Sequence, residues 1–159
     1  MKDEYGEFEV VEKTWTVSPS QYQATVERAE DGSIGGAGVW LQNNNGEVLL
    51  VRNEGDEGWG DPGGKAEIGE SFEEAAMREV REEAGVECRL TDVLEVHVVE
   101  IRSGTGDNPP VFEPIVIFSG EYTAGNPRPR EGEIAQVDWF SSPPANVLYE
   151  EVRTRPYRR

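Results

Sequence analysis

The stretch GKAEIGESFEEAAMREVREEAGV, residues 64–86, decides the fold and most of the chemistry. Ser71, followed three residues later by Glu74, forms a capping box that predicts a helix start. Gly85 follows the last apolar residue of the pattern and suits a left-handed cap, so the helix spans about 71–84. Phe72, Ala75, Ala76, Val80 and Ala84 make an apolar stripe at helical spacing, which packs this helix on a sheet. On another face Glu79, Glu82 and Glu83 stand at i, i+3 and i+4. Like charges so placed repel by roughly 0.2–0.5 kcal/mol per pair, a penalty that Arg78 softens by pairing with Glu82. Clustered carboxylates suit a hard divalent cation, Mg²⁺ or Mn²⁺. Alone, in a chain this acidic, the same cluster reads as a solvated acidic face.

Gly64, Glu70, Arg78-Glu79, Glu82-Glu83 and Gly85 occupy, in order and at the right spacing, every fixed position of the Nudix box. The chain therefore resembles a Nudix hydrolase. The resemblance implies an α/β/α sandwich with a mixed sheet. It also implies metal-dependent hydrolysis of a diphosphate joining a nucleoside to a variable group, by attack of an activated water on one phosphorus. Glu79, Glu82 and Glu83 become the cation ligands, with the Gly63 carbonyl beside them. Glu70 and Arg78 orient those ligands. Family members often add a carboxylate from a later loop, shortly before a Trp-containing strand. Glu133, ahead of Trp139, is the candidate, with Glu131 as runner-up. The general base stays open between Glu79 and Glu133.

Just upstream, Trp59-Gly60-Asp61-Pro62-Gly63-Gly64 marks a tight turn that lets backbone approach a metal or phosphate. The family usually carries a large apolar residue where this chain has Asp61. Arg52, Lys65 and Arg102 are candidate cations for the diphosphate. His97 falls in an expected strand and reads as structural. Trp40, Trp59 and Trp139 suit core packing, and base stacking is their alternative use. Residues Glu100-Ile101-Arg102-Ser103-Gly104 lack the proline or tyrosine that marks some subfamilies, so the substrate stays open. An ADP-ribose or nucleoside-diphosphate-sugar substrate is favoured over (deoxy)nucleoside triphosphates. A non-catalytic nucleotide-binding module is a further alternative, although such modules usually lose box glutamates and this chain keeps all of them. A structural Ca²⁺ loop is disfavoured, because the carboxylates lie on a helix.

The net charge is −17 and the isoelectric point is near 4.4. This argues against non-specific binding to nucleic acid or anionic membrane. Only Lys2, Lys13 and Lys65 are lysines. A glutamate-rich, lysine-poor surface is the composition expected in a high-salt cytoplasm, with an acidic mesophilic enzyme as the alternative. Cys88, the single cysteine, excludes an internal disulfide, fits a reducing compartment and sits in a strand. No signal peptide or membrane span is visible, so a cytoplasmic protein is expected.

Around the box the pattern predicts a hairpin, 38–41 and 48–51, turning at Asn45-Gly46. Longer strands follow at 89–101 and 111–119, separated by a Gly/Pro-rich loop at 102–110, with a short strand at 137–140. Ser142-Pro143-Pro144 reads as the start of a C-terminal helix running toward Arg153. The basic tail from Arg153 to Arg159 reads as a frayed end attracted to the acidic body. Residues 1–35 form an N-terminal extension with strands near 8–17 and 22–28, ahead of a hydrolase domain at 36–159. In some Nudix enzymes such a segment pairs with a partner subunit, which suggests a homodimer. An extra edge hairpin on a monomer fits the pattern equally well.

Overall fold

The computed structural model describes residues 8–104 and 108–157. Residues 1–7 of the extension, 105–107 of the Gly/Pro-rich loop and the tail arginines 158 and 159 lie outside the described residues. The chain order is β1 (Glu9–Val17), α1 (Pro19–Asp31), β2 (Gly36–Gln42), β3 (Val48–Asn53), β4 (Trp59–Gly60), β5 (Gly63–Lys65), α2 (Phe72–Ala84), β6 (Glu87–Ser103), β7 (Val111–Ala124), β8 (Ile134–Phe140) and α3 (Glu151–Thr154). The described strands form one mixed eight-stranded sheet in the order β1-β6-β7-β2-β3-β4, with β5 also on β2 and β8 on β3. β1 runs parallel to β6 of its own chain, and β7 parallel to β2. The remaining pairs are antiparallel.

Alternation along β2 sends side chains to two layers. Ala37, Val39 and Leu41 meet Ala75, Ala76, Val80 and Ala84 of α2. Trp40 turns the other way, into a cluster with Leu50, Ile117 and Val152. Full burial of each Leu, Val or Phe here contributes roughly 1.5–3 kcal/mol. The box helix α2 begins at Ser71 with both halves of its capping box formed. It ends at Gly85, whose φ of 73° suits a residue without Cβ. Asn43 Oδ1 accepts the Asn45 and Glu47 amides, which closes the expected turn between β2 and β3.

Two expectations are corrected. The strand expected near 22–28 is the helix α1. Tyr22, Thr25 and Val26 favour a strand, but Ser18 and Gln21 form a second capping box and Pro19 sits in the first turn, where its missing N–H is harmless. The helix expected from Ser142 is reduced to Glu151–Thr154. Pro143 and Pro144 keep their predecessors extended. Trp59 then captures the following backbone, through Trp59 N–H to Asn146 O at 3.0 Å and Leu148 N–H to Trp59 O at 2.8 Å. The β2–β3 hairpin also pairs directly only at Gln42 and Val48, because β5 takes Gly36–Gly38 on that edge. No helix among the described residues is long and apolar enough to cross a membrane.

Candidate active site

The loop Pro62–Gly64 is pressed between β2 and α2. A Cβ on Gly63 would lie 2.5 Å from Ala37 O, so only glycine fits there, and one on Gly64 would lie 2.5 Å from Glu79 Oε2 and push that carboxylate aside. The Gly63 amide donates to Glu83 Oε1 at 2.9 Å. The box helix is thus docked on the loop through its own acidic side chains.

Glu79 and Glu83 are buried, at 9 % and 5 % exposure, whereas the Glu82 side chain is half-exposed. Arg78 organises the group. Its Nε meets Glu70 Oε2 at 2.7 Å and its Nη1 reaches Glu79 Oε1 at 2.6 Å and Glu82 Oε2 at 3.0 Å. Its Nη2 donates to Lys65 O at 3.0 Å. The Arg78 bond holds the Glu70 carboxyl below its ordinary range, and Glu70 in return raises Arg78. Burial pushes the Glu79 carboxyl up against the opposing pull of Arg78. Burial likewise drives Glu83 up to about 8, with the charges of Glu79, Glu133 and Asp61 adding to it and the Gly63 amide opposing.

Glu133, just before β8, faces two clefts of about 480 Å³ and 510 Å³ that it shares with Glu83. Its side chain is 48 % exposed and meets Arg130 Nη1 at 3.3 Å. Arg130 also contacts Glu82 Oε2 at 3.2 Å. Glu131 is exposed and stands outside both clefts. Among the described residues no three acidic, His or Cys side chains form a ready ligand set. The glutamates instead give their oxygens to Arg78, Arg130 and the Gly63 amide. The donor chemistry still fits a hard cation: several carboxylates around one glycine turn raise each other's proton affinity, a repulsion that a divalent ion would relieve.

On the other side of the same turn lies a cavity of about 530 Å³. Its floor is the sheet face carrying Gly36, Gly38, His97, Ile115 and Ile117. Lys13 and Trp15 of β1 form one wall, Leu148 and Tyr149 another. Gly63, Gly64 and Lys65 belong to both this cavity and the 510 Å³ cleft, so the two spaces meet across the turn.

A buried network braces that junction. The Arg155 side chain is 1 % exposed. Its Nη1 meets Asp61 Oδ1 at 2.9 Å and Tyr149 Oη at 2.8 Å. Its Nη2 meets Glu95 Oε1 at 2.8 Å. Tyr149 O–H donates to Asp61, and His97 Nε2 lies 2.8 Å from Glu95 Oε1. Burial works against ionisation of Glu95, yet the His97 and Arg155 hydrogen bonds hold it down at about 2. Burial lifts the Tyr149 phenol well above its ordinary range, so it remains a donor.

Of the candidate cations, Lys65 stands at the shared turn, and its amine has no ion pair among the described residues. Arg52 bonds Gln136 Oε1 at 3.0 Å and Asp56 O at 2.8 Å, away from these spaces. Arg102 pairs with Glu100 on β6, at 2.9 and 3.1 Å, also outside them. His97 is buried in the network, yet it shows an edge to the cavity floor. Trp40 is core, donating to Pro156 O at 2.7 Å. Trp59 packs on Phe140 and Trp139 on Tyr122. Sequence reasoning passed over Lys13, Trp15, Arg28 and Tyr149, and the reading of Arg155 as part of a frayed basic tail is corrected, because its paired acids hold it buried. Arg28, in the 510 Å³ cleft, bonds Glu113 at 2.8 Å and Gly35 O at 2.8 Å. The one available signal was Asp61, a buried acid where an apolar residue was expected, which requires a partner.

Comparison with known proteins places this geometry. A Bacillus subtilis protein provisionally named an 8-oxo-dGTP diphosphatase is 32 % identical over 106 residues, covering 67 % of this chain and 65 % of that protein. The NAD-capped RNA hydrolase NudC of Pseudomonas aeruginosa is 36 % identical over 78 residues, or 49 % of this chain and 25 % of that protein. The chain thus spans less than two thirds of either relative's length. Among solved structures, a UDP-X diphosphatase aligns with a TM-score of 0.59 at 22 % identity, over 87 % of this chain and 66 % of that one. A MutT protein from Methanosarcina mazei Go1 aligns with a TM-score of 0.52 at 28 % identity, over 67 % and 75 %. Residues 33–157 match the NUDIX domain, and the chain belongs to the Nudix family.

Proposed function

We propose that the protein is a divalent-cation-dependent hydrolase that splits the diphosphate of a nucleoside diphosphate linked to another moiety, of the ADP-ribose or NDP-sugar kind. The observation that carries this reading is the continuity of an apolar cavity with two carboxylate clefts, the 510 Å³ one across Gly63, Gly64 and Lys65 and the 480 Å³ one at Asp61, Gly63 and Leu148. One end of the substrate fills the cavity, and the diphosphate crosses the turn beside Lys65. Glu79, Glu82, Glu83, Glu133 and the Gly63 carbonyl would hold Mg²⁺ or Mn²⁺, which when bound neutralises diphosphate charge and lowers the pKa of water. Arg78, fixed by Glu70, keeps Glu79 and Glu82 aligned. Glu133 takes the proton of the attacking water. It is the more exposed of the two candidates and faces both carboxylate clefts, whereas Glu79 faces one.

The name of the Bacillus relative favours a second reading, removal of nucleoside triphosphates. A substrate panel of ADP-ribose, NDP-sugars, NTPs and 8-oxo-dGTP, with MgCl₂ or MnCl₂ and Glu82→Gln as control, decides between them. The expected result is release of nucleoside monophosphate from ADP-ribose or an NDP-sugar by the wild type alone. Turnover confined to triphosphates moves the assignment to the second reading. Silence across the panel refutes both.

A further inference from the structure

Val10, Trp15, Ile68, Phe112 and Leu148 are the large apolar side chains exposed among the described residues, and two of them stand on the wall of one cavity. Trp15 is 45 % exposed and Leu148 47 %. Singly exposed apolar side chains are ordinary, but two lining the same concave space give it an apolar wall of the kind small-molecule sites carry. Along β1, Lys13 and Trp15 project on the same side, opposite Val99 and Ile101 of β6. Lys13 is already committed. Its Nζ meets Glu151 Oε1 at 2.7 Å and lies 4.8 Å from the Tyr149 ring centroid, tying β1 to the C-terminal segment. Trp15 has no such task.

We propose that the Trp15 indole is the stacking platform for the nucleobase. The base end of the substrate then enters the cavity beneath β1, and the other moiety leaves through the open, charged cleft beside Glu67 and Arg78. The inference rests on the reading of the cavity as one end of the substrate site, and it names which end. The ionisable groups on the lining decide the matter. Asp61 is bonded to Arg155, Glu113 to Arg28, Lys13 to Glu151 and His97 to Glu95. Lys65, at the mouth, is the exception. Apart from these charged groups and Tyr149 the lining is glycine or apolar, and the Trp15 indole offers a planar base a flat face to stack on. A volume of about 530 Å³ lies within the range of small-molecule sites, roughly 300–1,000 Å³. Lys13 and Trp15 also precede residues 33–157, the segment matched to the family, so this wall belongs to the chain's own extension. Selectivity should consequently be tight for the base and loose for the moiety beyond the diphosphate.

The test is calorimetric titration of the full chain with AMP, UMP and ribose 5-phosphate, comparing wild type, Trp15→Ala, Trp15→Phe and the neighbouring Val10→Ala. Circular dichroism checks that each variant folds. Loss of base stacking should weaken the better-bound nucleotide by about tenfold or more in Trp15→Ala, with partial recovery in Trp15→Phe. Ribose 5-phosphate should bind all four proteins equally weakly. Equal nucleotide binding by wild type and Trp15→Ala overturns the proposal, as does ribose 5-phosphate binding as tightly as AMP and UMP, or no nucleotide binding at all. Nucleotide binding that depends on Trp15, in a protein silent on every substrate, would sink the hydrolase reading and leave this one standing. Turnover whose KM ignores Trp15→Ala would do the reverse.

Discussion

Glu83→Gln should make the cation-free protein more stable at alkaline pH and leave it nearly unchanged in mild acid. The Glu83 carboxyl is pushed from an ordinary value of 4.5 up to about 8, by burial first and by Glu79, Glu133 and Asp61 after it. Between those two values the folded chain holds a proton that the unfolded chain has released. Stability is therefore fully present below the unfolded value and falls as pH rises through the folded one. At about 1.36 kcal/mol per pH unit the whole gap corresponds to roughly 5 kcal/mol. Because Glu79 titrates against the same charges, the realised difference is nearer ~3–4 kcal/mol.

Glutamine keeps an acceptor for the Gly63 amide, 2.9 Å away in the parent, and has no charge to bury. Thermal melts in EDTA at constant ionic strength read the effect. At ~2–4 °C per kcal/mol for a chain of this size, the variant should melt ~10 °C above wild type near pH 8.5. Near pH 5 the two should agree within ~2 °C. Added MgCl₂ should then raise the wild type more than the variant, because a cation that binds only the folded state stabilises it by mass action. Parallel pH profiles for the two proteins would refute the claim that Glu83 is held against its own ionisation.

Gly64→Ala places a methyl 2.5 Å from Glu79 Oε2; displacing that carboxylate should lower kcat/KM by about 100-fold, measured on whichever substrate turns over. Arg155→Ala strips the counter-ion from Asp61 and Glu95, which should cost ~3–5 kcal/mol in urea unfolding. Adding Asp61→Asn should restore part of that loss; strict additivity would show that the two residues do not act as one unit. With a net charge of −17, the melting temperature should climb as KCl rises toward molar concentration, through screening of self-repulsion. A flat response would count against a high-salt origin.

Local rules made the box readable. The Ser71 cap, the Gly85 stop and the apolar stripe of α2 each depend on residues within four positions of one another, so the sequence alone displays them. The turn at Asn45-Gly46 and the strands β6 and β7 were equally visible. The same rules were present at Ser18-Pro19-Ser20-Gln21, but the β-favouring Tyr22, Thr25 and Val26 outweighed them in the reading. At Ser142 the proline pair reads as a helix start, yet the helix forms only at Glu151–Thr154, because the demand of Trp59 for backbone partners at 146 and 148 is invisible in the sequence. The site divides in the same way. Glu79, Glu82 and Glu83 announce themselves on one helix face. The cavity draws its walls from β1, β6, β7 and residues 148–149, and nothing in sequence spacing brings those together. The tryptophans show the limit most sharply: Trp40, Trp59 and Trp139 read first as core packing and only then as base contacts, and the one on the cavity, Trp15, carries no signal in the sequence.

The two ends of the chain do more than frame the box. Lys13 near the start reaches Glu151 near the end across the cavity, and Arg155 reaches back 94 positions to Asp61, one residue before the glycine turn. The turn that presents Gly63 and Gly64 to the carboxylates is therefore held by the same C-terminal segment that supplies Leu148 and Tyr149 to the cavity wall. A change in how the cavity is filled would press on Tyr149, and Tyr149 shares Asp61 with Arg155. Under the proposed function, chemistry on α2 and selectivity under β1 would thereby be coupled through one buried guanidinium. Substitutions at Asp61 or Arg155 should then alter kcat and KM together, whereas substitutions at Trp15, which takes no part in that network, should act on KM.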